Sequence, residues 1–233
     1  MADGTRATIP IFPLANVVLF PKLRVPLYIF EPRYRQMTRE ALDGARRIGM
    51  VTLRPDHIED TAGDPPVFSI GCEGRIVQSE LLADGGYNVV LLGARRFEIL
   101  SEQLPDGDRL YRTAEVALLS EASTRESPPN DPAENNPVHA AKARSTIVEL
   151  LHELLQHEQA EAQDSGFDAE LFEACDDELF VNALAQSLNF GAAEKQSLIE
   201  CSDVPGRLQQ LLALLQFRLA ARRSGLPEAS ALQ

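Results

Sequence analysis

The chain has 233 residues, enough for one large core or two modest ones, and its 44% hydrophobic and 24% charged content is that of an ordinary folded protein. A formal charge of -13 and a pI near 4.8 argue against nucleic acid and anionic membrane as partners, because both demand clustered Lys and Arg. The acidic excess lies almost wholly beyond residue 120, so the two halves differ in kind.

From Ile9 to about Ala117 short apolar or alternating runs are broken by Pro and Gly, the pattern of strands joined by tight turns. Ile9 to Phe12 and Val17 to Phe20 read as a strand and its return, and Val25 to Phe30 as another. Pro10, Pro13, Pro21 and Pro26 mark short, edged or bulged strands, since proline cannot donate to a ladder. Pro32 falls where a helix would start, and Tyr34, Met37, Ala41 and Leu42 recur at helical spacing, which predicts a helix over 32–46.

Ile48 to Leu53 resumes as a strand, and Arg54 to Pro66 is a loop by composition. Phe68 to Leu82 and Tyr87 to Leu92 flank Ala83-Asp84-Gly85-Gly86, a strong hairpin signal because Asp-Gly and Gly-Gly accept positive φ. Gly93 then interrupts before a strand over 95–100, and Arg112 to Leu119 alternates once more. Six or so strands closing on themselves are expected.

Residues 121–137 are nearly devoid of apolar side chains and crowded with Pro, Asn, Ser and acids, so they read as a disordered linker. After it a helix is predicted over 138–163, with Ile147, Leu151 and Leu154 on its inner stripe. Asp176 or Asp177 caps a second helix running to about Phe190, and 192–201 forms a third. Ser202 or Asp203 caps the last, with Pro205 in its first turn and Arg218, Arg222 and Arg223 at its negative end. The expected domains are a β lobe over 8–120 and a helical bundle over 138–223.

No phosphate-binding loop, G-x-S-x-G elbow or H-E-x-x-H helix occurs, so no catalytic set is assigned. Glu31 and His57 are the only suggestive acid–base pair, at no diagnostic spacing. Cys72, Cys175 and Cys201 lie far apart and read as packed thiols. His152 and His157, five apart, turn to different helix faces, and Glu158, Glu161 and Asp164 read as a solvated acidic face. No metal and no cofactor is expected. The N-terminus lacks a leader pattern and no run of about 18 apolar residues exists, which gives a cytoplasmic reading and no membrane partner.

The residues that stand out are apolar and clustered. Phe20, Pro21, Tyr28, Phe30 and Tyr34 are the candidates for holding another polypeptide, through apolar pockets or by strand addition at an open edge. Glu31, Arg33, Arg95 and Arg96 form a second set, read as an ion pair tying the helix to the hairpin rather than as a ligand site, and Arg75 belongs with them.

A resemblance joins these features. Ile11-Phe12-Pro13-Leu14-Ala15-Asn16-Val17-Val18-Leu19-Phe20-Pro21 followed by Pro26-Leu27-Tyr28-Ile29-Phe30-Glu31-Pro32-Arg33-Tyr34 resembles the N-terminal substrate-recognition domain of Lon proteases. Gly71-Cys72-Glu73-Gly74-Arg75-Ile76-Val77, Gly93-Ala94-Arg95-Arg96-Phe97 and the segment from Glu194 to Glu200 are similar to later parts of that domain, so the likeness runs over about 8–223.

The resemblance implies an α+β fold: a PUA-like β pseudobarrel with one helix, then a C-terminal α-helical bundle. With no ATPase or peptidase motif before Gln233, it further implies a stand-alone, non-catalytic binding module. Its partners would be unfolded or degron-bearing proteins, held in a groove between barrel and bundle, together with an ATP-dependent protease or chaperone. The alternative that PUA-like architecture allows, an RNA reader, has only Arg75, Arg95 and Arg96 as a start.

Overall fold

A computed structural model describes residues 5–55, 63–120, 137–158 and 175–224. It divides into two compact units after Glu121. The first holds β1 (Arg6–Leu14), β2 (Arg24–Ile29), α1 (Pro32–Asp43), β3 (Arg47–Thr52), β4 (Ile70–Leu81), β5 (Tyr87–Gln103) and β6 (Thr113–Leu118). The second holds α2 (Pro137–Glu158), α3 (Asp177–Ser187), α4 (Ala192–Glu200) and α5 (Val204–Arg223). The mixed sheet and the helical second unit make the fold α+β, as expected.

The strand order is β2-β5-β4-β3-β1-β6, and a further β5–β6 pairing closes the sheet. Closure is possible because β5 is 17 residues long. Its first part, Tyr87 to Leu92, lies between β2 and β4, whereas Phe97 to Gln103 turns to pair with β6. Five strands therefore form the barrel, and β2 extends the sheet beyond it on the outer edge of β5.

Inside the barrel Ile9, Ile11, Val51, Leu53, Phe97 and Val116 form a contiguous core. Each fully buried side chain of this size contributes about 1.5–3 kcal/mol of hydrophobic stabilisation. On the opposite face of the sheet, α1 packs on β1 and β3, and the Phe12 and Tyr34 rings meet at 4.4 Å.

Four expectations are corrected. Val17 to Phe20 is not a strand: Val18, Leu19 and Phe20 are buried, so the apolar run marks a core-facing loop, which ends in a turn where Lys22 takes φ 68°. Gly93 does not break β5. A Cβ there would stand 2.0 Å from the Phe20 carbonyl oxygen, and the glycine lets the 20–23 turn approach. The Lys22 N–H donates to the Gly93 carbonyl and the Gly93 N–H to the Leu23 carbonyl, each at 2.8 Å.

The third correction is to α1, which stops at Asp43 rather than 46 because Arg46, at φ 56°, turns back to donate its N–H to the Ala41 carbonyl at 2.8 Å. The fourth is to the linker boundary: Pro137, assigned to the linker, opens α2 instead. The rest of that segment, 121–136, and the expected helical residues 159–163 lie outside the described residues.

In the second unit α2, α3 and α4 each pack against α5. Caps fix the boundaries: Asp176 accepts from the Leu179 N–H at 2.7 Å, and Asp203 from the Gly206 N–H at 2.7 Å. The core comprises Ile147, Leu151, Phe180, Leu184, Leu198 and the α5 stripe Leu208, Leu211, Leu215. Arg222 and Arg223 occupy the last turn of α5 as expected. Arg218 instead pairs with Glu194 at 3.0 Å and lies over the Phe190 ring.

Candidate functional site

The strands β2, β5 and β4 project beyond the barrel as a three-stranded ribbon whose two faces are unlike. Val25, Ile29, Val89, Leu91 and Ile76 point to the buried side. Alternation then sends Arg24, Pro26 and Tyr28 to the other side. Registration places them in transverse rows: Arg24 beside Leu92 and Arg75, Pro26 beside Val90 and Gln78, Tyr28 beside Asn88 and Glu80.

This second face is uncovered. Tyr28 is 51% exposed and Phe30, just past the strand end, is 62% exposed, with ring centroids 5.7 Å apart. Beside them lies an open cleft of about 390 Å³ lined by Pro26, Tyr28, Gln78, Glu80, Asn88 and Val90 among others. Toward the hairpin end the Tyr28 hydroxyl donates to Asp84 at 2.7 Å, and Asp84 also accepts from the Gly86 N–H at 2.9 Å. Gly85, at φ 80°, makes that turn possible. The Tyr28 hydrogen bond, then the Gly86 one, holds the Asp84 carboxyl below its ordinary range; the same bond first of all pushes the Tyr28 phenol up.

The five apolar candidates therefore separate. Tyr28 and Phe30 share the uncovered face, whereas Phe20, Pro21 and Tyr34 are buried, packed in the core by the needs of a small sheet-and-helix body. Burial also pushes the Tyr34 phenol up. Pro26, Val90 and Asp84 were missed. Strand alternation from Val25 to Phe30 was the available signal for Pro26, and the hairpin turn was the signal for Asp84.

The charged set is also rearranged. Glu31 pairs with Arg33 at 2.9 Å within one segment and does not tie α1 to the hairpin. It sits at the rim of a second cleft of about 400 Å³ with Tyr34, Pro65 and Arg112. Arg95 turns instead to Glu73, whose carboxylate is fully buried with Arg47 at 3.5 Å and Arg95 at 3.8 Å. Neither Glu73 oxygen has a hydrogen bond among the described residues. Arg96 is buried. A third cleft, about 600 Å³, runs between α1 and the hairpin past Arg35, Arg39, Leu81 and Leu110.

Among the described residues no cluster of His, Cys, Asp and Glu could hold a metal ion, and no helix is long and apolar enough to cross a membrane. His57, Glu161 and Asp164 lie outside the described residues, and of the His157 and Glu158 side chains nothing is described.

Comparison with known proteins agrees with the fold. A crystal structure of a Lon N-terminal domain protein from Xanthomonas campestris superposes with TM-score 0.60 at 23% identity, covering 89% of this chain and 98% of that one. The N-terminal domain of Mycobacterium avium complex Lon protease does so with TM-score 0.65 at 20% identity, covering 90% and 98%. At such identity these likenesses show the fold alone.

The Lon protease of Flavobacterium johnsoniae is 26% identical over 215 residues, 91% of this chain but 24% of its own length. The chain thus spans about a quarter of the curated relatives it matches. The family model for the substrate-binding domain of ATP-dependent protease La (LON) matches residues 8–216, nearly the whole chain, and the chain belongs to that family.

Proposed function

We propose that this chain is a non-catalytic recognition module that holds unfolded or otherwise exposed polypeptide segments and presents them to an ATP-dependent protease or chaperone. The observation that carries this reading is the tilted ring pair Tyr28 and Phe30, both more than half exposed on an uncovered sheet face beside an open cleft. Large rigid aromatics left in water at one place are costly for solubility and suited to binding, since they give up little side-chain entropy when covered. The matched family is described as a substrate-binding domain, and Lon protease relatives supply the class of partner.

The test is titration of a permanently unfolded, fluorescently tagged model protein with the full chain, read by anisotropy. Saturable binding is expected, weakened at least about tenfold by the double substitution Tyr28→Ala and Phe30→Ala, the loss of a typical aromatic anchor. Absence of saturable binding at tens of micromolar, or a double variant that binds as the parent does while keeping its thermal melting point, overturns the reading.

A further inference from the structure

The uncovered face is electrically polarised along its length. At the end where the ribbon leaves the barrel, one transverse row runs from Arg24 on β2 through Leu92 to Arg75 on β4 and Arg47 on β3. Arg95 stands one step further in, beside Glu73. Glu73 is the carboxylate paired with Arg47 and Arg95, and its ion pairs at 3.5 and 3.8 Å leave their hydrogen-bonding forks loosely engaged. Arg75 is exposed, with no ion pair or side-chain hydrogen bond among the described residues. At the opposite end stand Glu80 and, at the hairpin tip, Asp84, which has Arg35 of α1 close by.

In a chain of net charge -13, arginines gathered on one face are a local reversal of the overall field. The field of the whole chain repels acidic ligands only weakly beyond a Debye length of about 8–10 Å, whereas the row acts at contact range. The apolar cleft and the row lie on the same face. From Tyr28 to Arg24 the face runs four residues of β2, about 13 Å at about 3.3 Å per residue.

We infer that the face selects extended polypeptide segments in which an apolar or aromatic side chain is separated from a carboxylate by two to four residues. The apolar group enters the cleft beside Tyr28, and the carboxylate meets Arg75 and its row at the barrel mouth. Glu80 disfavours the reverse orientation, so a segment is read in one direction; Asp84 adds less, with Arg35 beside it. The inference rests on the polypeptide-binding reading above and adds its substrate class.

The test uses the full chain and three tagged peptides that share one phenylalanine and differ three residues away, carrying two aspartates, two asparagines or two lysines. Affinity should fall in that order, with the aspartate peptide at least about fivefold tighter than the lysine peptide and losing its advantage as salt is raised. Arg75→Glu should abolish or invert the order, and Arg75→Gln should shrink it. Thermal melting checks that both variants fold.

Equal affinities for the three peptides, or an order that survives Arg75→Glu, overturn the inference while leaving polypeptide recognition standing. Failure of all three peptides to bind, when the unfolded protein also fails, removes both. Displacement of the aspartate peptide by a short single-stranded RNA that binds more tightly would assign the row to phosphate instead. Dimerisation lost on Arg75→Glu would assign the face to a second copy, and either result counts against the inference.

Discussion

The hydroxyl of Tyr28 donates to Oδ2 of Asp84 at 2.7 Å, tying an edge strand to a hairpin tip 56 residues away. This bond is the first cause of the lowered Asp84 pKa. A carboxyl held below its ordinary value of 3.8 adds stability that is present above that value and is lost as pH falls through the folded pKa. Tyr28→Phe removes the hydroxyl and keeps the ring. Asp84 should then titrate closer to its ordinary value, an upward shift visible in a carbon-detected NMR titration. An unmoved Asp84 would mean the bond is not formed in solution.

Gly93 sets where the 20–23 turn lies against β5. The Cβ of an alanine at this position would stand 2.0 Å from the Phe20 carbonyl oxygen and 2.8 Å from its carbon, both backbone atoms that no rotamer change can relieve. Gly93→Ala should cost at least about 3 kcal/mol, the upper range for overpacking, because the turn must move away from the strand. Chemical denaturation measures the loss. The same variant should also weaken unfolded-protein binding, since the displaced turn leads directly into β2, and a fully stable alanine variant would show that the approach is not close.

The element pattern was legible because it rests on local rules. Pro32 at a helix start, the Asp-Gly turn at 84–85 and the caps at Asp176 and Asp203 each act within a few residues, and each stands where the sequence put it. What was not legible depended on partners distant in the chain. Val17 to Phe20 has a strand's composition but is not part of the sheet's strand pairing. Gly93 looked like a break because the Phe20 backbone that needs its missing side chain is 73 residues away.

The site was half legible for the same reason. Tyr28 and Phe30 were picked out with Phe20, Pro21 and Tyr34 because aromatic content alone does not say which face is covered. Strand parity does say so once burial is known: Val25 and Ile29 are buried, and alternation leaves Tyr28 outward. The Glu73 cluster was invisible, since its arginines come from two other strands, β3 and β5.

Tyr111 fastens the approach to β6 onto α1 through a 2.6 Å hydrogen bond to Glu40. Burial first, and then that bond, push its phenol up to about 12. Because the folded state keeps the proton past the ordinary value of 10.0, the stability it adds is whole below that pH and is lost as pH rises toward about 12. Tyr111→Phe should cost about 1 kcal/mol at neutral pH, with Glu40 left to water. It should also remove the most alkaline step from the phenolate absorbance titration of the four tyrosines. Retention of that step would assign it to another tyrosine.

Arg207 is the largest fully buried side chain described, at the start of α5 in the helical unit. Its Nη1 donates to Asn182 Oδ1 at 2.7 Å and its Nε to the Leu198 carbonyl at 3.1 Å, so one planar fork joins α3, α4 and α5. Desolvating a guanidinium is tolerated when its donors are met, and removing it takes a charged donor away from two acceptors in the bundle core. Arg207→Ala should therefore cost about 2–4 kcal/mol by thermal or chemical unfolding, the loss of hydrogen bonds made by a charged donor. Arg207→Lys should restore little of this, because a single ammonium cannot reach both acceptors in the geometry that the planar group provides. A lysine variant as stable as the parent would show that the position requires a positive charge alone, and the bridging of three helices would then rest on their apolar stripe.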